Sequence, residues 1–126
     1  MLADAKVIGF IPVRSIESAS QFYCGLLGLR VLARTDFALV LSAGGSTVRC
    51  VLVPEMKPQP FTIFGWAVPK VGASTRALSA AGIAPLRYEA MVQDEDGVWT
   101  SPDGSKVAWF HDPEGNVLSL SQEASA

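Results

Sequence analysis

The chain has 126 residues, a net charge of −2, 49% apolar and 17% charged residues. That length suits one domain with a real hydrophobic core, and the apolar share excludes intrinsic disorder. There is no basic surplus to neutralise phosphates, so no nucleic-acid role is expected. The opening MLADAKVIGFIPV lacks a basic region ahead of a long apolar run and is soon interrupted by Arg14, so neither a signal peptide nor a membrane span is expected. Cys24 and Cys50 fall in a predicted helix and a predicted strand without Cys-x-x-Cys spacing. Reduced thiols of a cytoplasmic protein are the preferred reading, over a disulfide or a metal pair.

Lys6 to Val13 reads as a first strand, ended or displaced to an unpaired position by Pro12. Ser15 is placed as the N-cap of a helix reaching about Leu27, with Ile16, Ala19, Phe22, Tyr23, Leu26 and Leu27 on the buried stripe. Gly28 stands at the left-handed terminator position, with Leu29 as its hydrophobic follower. Three strands are expected over Arg30–Arg34, Ala38–Ser42 and Thr47–Val53, then a proline-marked linker, PEMKPQP. The pattern then starts again. Thr62–Val68 reads as a strand and Val71–Ala81 as a helix with Ala77 and Leu78 on its apolar side. Gly82 and Ile83 repeat the terminator, and strands are expected at Leu86–Ala90 and Gly97–Thr100. The two terminating glycines lie 54 positions apart, 82 minus 28. Such a period marks a duplicated supersecondary unit.

The segment KVAWFHDPEGNVLSLS reads as a hairpin. Pro113 presets the backbone of a type I turn opening at Asp112, and Gly115 supplies the left-handed residue that returns the chain. Beyond it Leu118 and Leu120 alternate with Val117, Ser119 and Ser121, so one face should be core.

With the aromatic run before it, Asp112-Pro113-x-Gly115-Asn116 resembles the closing hairpin of the vicinal oxygen chelate superfamily, which includes glyoxalases, extradiol dioxygenases and bleomycin and fosfomycin resistance proteins. The helix motif Ala19-x-x-Phe22-Tyr23-x-x-x-Leu27-Gly28-Leu29, the repeated terminator and the proline linker extend the resemblance over about residues 5–122. It implies an α+β fold within a single domain, residues 1–126. Two βαβββ modules, about 5–55 and 61–122, would form a curved, cup-shaped mixed sheet with the helices outside.

In metal-dependent members of that superfamily an ion is held inside the cup by histidine or glutamine, histidine and glutamate. Carried over by counting from local landmarks, those positions fall near Ile8, near Ile63 and on Ser119. None replaces an imidazole or a carboxylate. The chain has a single histidine, His111. The expected cofactor is therefore none, and the metal site none. By strand parity the interior set is Ile8, Phe10 and Pro12 on the first strand and Ile63, Gly65 and Ala67 on the fifth. Val107, Trp109, Val117, Ser119 and Ser121 of the hairpin join them, with Phe110 under the helix. Gly65 and Ala67 leave space, which favours an apolar, aromatic-edged pocket over a filled interior.

Arg49 lies mid-strand in TVRCVLV. It reads either as an anchor for a ligand carboxylate or phosphate, or as an arginine on the outer or edge face, in water or paired with an acid. The second reading carries more weight because half of all strand positions face out, and Arg49 stays among the candidates. Arg87 carries the same ambiguity. Trp99 reads as a rim residue or as core, His111 as an exposed imidazole at a turn, and Asp94-Glu95-Asp96-Gly97 as a solvated turn.

The ligand-binding candidates are thus Ile8, Phe10, Arg49, Ile63, Gly65, Trp99, Trp109 and Ser119. The expected function is metal-independent binding of an apolar or aromatic small molecule, similar to the bleomycin-resistance branch. The alternative is a lyase, isomerase or dioxygenase with a relocated or absent metal site. The resemblance also implies a homodimer.

Overall fold

The computed structural model describes residues 1–125, in two compact units, Met1–Lys57 and Pro58–Ala126. In the first unit β1 (Ile8–Val13) leads into a short α1 (Ile16–Ala19) that continues as a π-helix over Ser20–Leu26, then β2 (Arg30–Arg34), β3 (Ala38–Ala43) and β4 (Ser46–Leu52). The sheet order is β1-β4-β3-β2. β1 pairs with β4 in parallel, from Ile8 opposite Thr47 to Val13 opposite Leu52, and the other pairs are antiparallel. A parallel neighbour needs a crossover, which the helix supplies. Ile11, Val13, Leu39, Leu41, Val48 and Cys50 are buried together with Ile16, Ala19, Phe22 and Tyr23. These side chains are the first unit's core.

The Ser15 hydroxyl caps the first helix, accepting from Ser18 N at 3.1 Å. The expected α-helix to Leu27 is corrected beyond Ala19. Leu27 N donates to Phe22 O at 3.0 Å, one residue further back than α geometry allows. This widened turn rotates the later residues. Phe22 and Tyr23 both point inward with edge-to-face rings 5.0 Å apart, while Leu26 turns out and is 51% exposed. Gly28 closes the helix at φ +79, and Leu29 N reaches Tyr23 O at 2.9 Å.

The second unit runs β5 (Thr62–Ala67), α2 (Val71–Ala80), β6 (Trp99–Thr100), β7 (Lys106–His111) and β8 (Val117–Gln122), in the order β5-β8-β7-β6 with β5 parallel to β8. Both units are therefore βαβββ. Val71 and Thr75 are the buried residues of α2 and Ala77 is exposed, which corrects its expected inward place. The first N–H of α2 donates to the Gln122 side chain at 3.0 Å. Its end is a Schellman motif, Ile83 N to Leu78 O at 2.9 Å across Gly82 at φ +89.

The strand expected over Leu86–Ala90 does not form, and Gly97–Thr100 contracts to the two residues of β6. Gln93 supplies the reason. Its amide donates to Leu86 O and Gly97 O and accepts from Tyr88 N, all within 2.9 Å. The segment thus satisfies backbone groups through a side chain where a ladder would have used a partner strand. Among the described residues no helix is long and apolar enough to cross a membrane.

The β7–β8 turn is held by Asp112. One carboxylate oxygen accepts from Glu114 N and Asn116 N, the other from Asn116 Nδ2, each at 2.9 Å. Asp112 is 5% exposed and Asn116 2%. Gly115 has φ +88, and a Cβ there would come within 3.2 Å of Pro58. Asp112→Ala leaves two buried donors and one part-buried donor without these acceptors. It should cost about 3 kcal/mol and lower Tm by roughly 10 °C in a thermal melt, whereas Asp112→Asn keeps the shape and loses less.

Two exposed carboxylates add a pH dependence. Asp103, bonded by Ser101 and by the Ser105 N–H and hydroxyl, is lowered from 3.8 to about 2. The Arg34 guanidinium, 2.8 Å from Glu17, lowers that carboxyl from its usual 4.5. A depressed pKa stabilises the fold at pH above the unfolded value, and this contribution fades as pH falls through the folded one. Acid titration of the melting temperature should show it fading from about pH 4.5 towards pH 2, and Asp103→Asn should flatten that slope.

Candidate functional site

Each sheet turns one face to its helix, and the candidates lie on the other. In the first unit, Val48 and Cys50 of β4 are buried while Thr47, Arg49 and Val51 alternate with them. Arg49 pairs across to Phe10 on β1 and to Val40 on β3. It therefore sits on a central strand, on the face opposite the helix. The edge position weighed for it is corrected, and its side chain is exposed. Its guanidinium lies over the Phe10 ring at 5.9 Å. Ile8 shares this face; it is 41% exposed and Phe10 59%.

In the second unit Phe64, Trp66, Ala108, Phe110, Leu118 and Leu120 share the face turned to α2. Trp66 and Phe110 stack with centroids 6.1 Å apart. The opposite face carries Gly65 and Trp109, both paired with Ser119, and Trp99 paired with Val107. Trp109 is the hub of this face. Trp99 tilts against it at 6.3 Å, Tyr88 meets it edge-on at 5.5 Å, and its indole N–H donates to Thr62 Oγ1 at 3.1 Å. A surface hollow of about 510 Å³ beside β6 is lined by Ala90, Val92, Val98, Trp99 and Thr100, among others.

Two details differ from the sequence expectation. Gly65 does not open space, because a Cβ there would strike the Ser119 hydroxyl and come within 2.9 Å of Ser119 O. The glycine permits close approach of β8 instead. Ile63 lies at a register shift, so it has no paired neighbour and Thr62 moves onto the Trp109 face. Tyr88 and Thr62 were not among the candidates. Tyr88 approaches Trp109 only because its segment is held by Gln93, and Thr62 only because of the bulge.

Ile8, Ile63 and Ser119 offer a metal ion two hydrocarbon side chains and one hydroxyl, a donor set that does not fit a divalent cation. Among the described residues no three His, Cys, Asp or Glu side chains are grouped to hold a metal. The acidic run 94–97 is a turn. Asp94 accepts from Asp96 N and Val98 N at 2.9 Å, Arg87 donates to Asp94 O and Glu95 O, and Arg76 pairs with Asp96 at 2.6 Å. Arg87 is thereby accounted for as a loop clamp. His111 ends β7 and is exposed.

The family model of the glyoxalase/bleomycin resistance protein/dioxygenase superfamily matches residues 6–120. A catechol-2,3-dioxygenase of Bacillus subtilis is 28% identical over 127 aligned positions. These cover 86% of this chain and 45% of the relative, so the chain spans about half of that relative's length. Among solved structures, a superfamily member from Sphaerobacter thermophilus superimposes with a TM-score of 0.75 at 20% identity, covering 98% of this chain and all of the other. Lactoylglutathione lyase from Agrobacterium tumefaciens gives 0.74 at 14% identity, covering 94% and 93%. At these identities the structures speak for the fold. The family match over nearly the whole chain, joined to two βαβββ units with the repeated glycine terminator, shows that this protein belongs to the glyoxalase/bleomycin resistance protein/dioxygenase superfamily.

Proposed function

We propose that this protein binds a small, largely apolar or aromatic organic molecule without a protein-held metal, in the manner of a sequestering or resistance protein. The observation that carries the reading is the Trp109 cluster. Trp99, Trp109 and Tyr88 meet on one sheet face, and Trp109 is fixed by its bond to Thr62. Rigid aromatic rings with a few hydroxyls nearby suit stacking on a flat apolar ligand. The ligand-binding set of Ile8, Phe10, Arg49, Ile63, Gly65, Trp99, Trp109 and Ser119 is part of this proposal, with Gly65 acting through the backbone. A homodimer in the cytoplasm completes it, supported by Cys24 and Cys50 standing as thiols.

A second reading, a lyase, isomerase or dioxygenase, is favoured by the similarity to a catechol-2,3-dioxygenase. It requires metal ligands away from the three positions where the family holds them, or chemistry without a metal. Metal analysis of the purified protein with a thermal-shift screen separates the two. A stoichiometric divalent ion, or stabilisation by metals and by no organic compound, would sink the first reading.

Naphthamide, a neutral fused aromatic, should quench the intrinsic tryptophan fluorescence saturably. Trp109→Ala should weaken its binding by about thirtyfold, since lost stacking and lost area each contribute on the order of 1 kcal/mol. Thr62→Val, which removes only the hydrogen bond that fixes the indole, should weaken it less. Unchanged affinity in Trp109→Ala would remove this face from the reading.

A further inference from the structure

The first unit carries a feature that an apolar ligand does not use. On the sheet face opposite the helix, the cross-strand row Thr47–Ser42–Arg30 lies beside the row Phe10–Arg49–Val40. Paired residues on neighbouring strands point to the same side, so two arginines, two hydroxyls and one aromatic ring share this face. No aspartate or glutamate occupies any position of it in β1 to β4. Arg34 serves as the contrast. It lies on the helix side, opposite Leu39, and is held by Glu17 at 2.8 Å. Among the described residues neither Arg30 nor Arg49 has a carboxylate partner, and the Arg49 guanidinium lies over the Phe10 ring.

Arg49 is exposed on a central strand, while its chain neighbours Val48 and Cys50 are buried on the other face. The contact with Phe10 uses the flat face of the guanidinium and leaves its in-plane N–H groups available. Those N–H groups match an oxyanion in a bidentate fork. Thr47, two residues before Arg49 on β4, and Ser42 beside it add hydroxyl donors. Arg49 and Arg30 start two strands and two residues apart, with strands about 4.8 Å and residues about 3.4 Å apart. The Arg49 guanidinium leans over Phe10 on β1, and meeting Arg30 over Ser42 takes a rotamer change that swings it across β4 towards β3. Exposed Phe10 and Ile8, on β1 beside Arg49 and Thr47, supply apolar surface for the rest of a ligand.

We infer that the first unit of this protein binds an aromatic oxyanion, in its simplest form an aryl carboxylate, whose charged group is bound by Arg49 and Arg30 with Ser42 and Thr47 and whose ring lies against Phe10, a site made by residues of that unit alone. The inference rests on the small-molecule reading above and adds the charge of the molecule. It concerns recognition alone and involves no bond making or breaking.

The test is calorimetric titration of the full chain with naphthoate and with naphthamide, which share a ring system and differ in charge. Naphthoate should bind at least about tenfold more tightly, the usual gain from a charge-assisted bidentate contact, and its advantage should shrink as salt is raised. Arg49→Met should remove about tenfold from naphthoate affinity and lower naphthamide affinity clearly less, since the amide loses only the contact beside Phe10. Arg30→Met should give a smaller loss of the same kind, and Arg49→Lys an intermediate one. Lys106→Met, an exposed cation of the second unit, should change neither and controls for net charge. Both arginines are exposed, so their variants should fold, which the thermal melt verifies. Equal affinity for the two compounds, or Arg49→Met binding naphthoate like the parent protein, overturns the inference. If naphthamide still binds in those cases and loses affinity in Trp109→Ala, the small-molecule reading survives. Absence of binding by either compound ends both.

Discussion

A strand in a sheet has two faces and a single helix can cover one of them. That constraint organises both halves of this protein. In β4, Val48 and Cys50 are driven under the helix by their apolar area, and the pleat then sends Thr47, Arg49 and Val51 to the opposite side whatever their chemistry. In β8, Leu118 and Leu120 do the same, and Ser119 and Ser121 follow. The functional candidates are the residues left on the second face. The core determines where they are, and their chemistry determines what they can hold.

The backbone devices around this arrangement serve geometry more than chemistry. Gly28 and Gly82 end the two helices in left-handed conformations, so that each chain turns back into its sheet. Asp112 and Asn116 belong to the motif that opens the resemblance, and their side chains bond the turn that joins β7 to β8. The acidic run at 94–97 and Arg87 likewise account for one another. With these assigned to structure, the chemistry on the two open faces stands out. One bears Trp109, Trp99 and Tyr88; the other bears Arg49, Arg30 and Phe10.

Membership of the superfamily and the ligand chemistry of this chain rest on different residues. The resemblance is carried by elements that shape the fold of this chain: the duplicated βαβββ unit, the glycine terminators and the Asp-Pro turn. The resemblance implies that the superfamily's ion-holding positions fall near Ile8, near Ile63 and on Ser119, and the strands that carry these residues form regularly apart from the bulge at Ile63. A strand tolerates isoleucine as well as histidine, so the scaffold persists while the site changes.

Local pattern in the sequence was enough for the repeated unit, both helix ends, the β7–β8 hairpin and the side of the sheet to which Ile8, Phe10, Trp109 and Ser119 belong. Period-two alternation and glycine conformation are properties of neighbouring residues, so they are written in the chain. Tertiary structure alone decided the rest. The π turn that exposes Leu26, the bulge at Ile63 that moves Thr62 beside Trp109, and the Gln93 clamp that replaces a strand at Leu86–Ala90 each depend on hydrogen bonds or register set by non-adjacent residues. So does the side taken by Arg49, since a lone arginine in an apolar strand fits either face until the cross-strand register with Phe10 and Val40 is fixed.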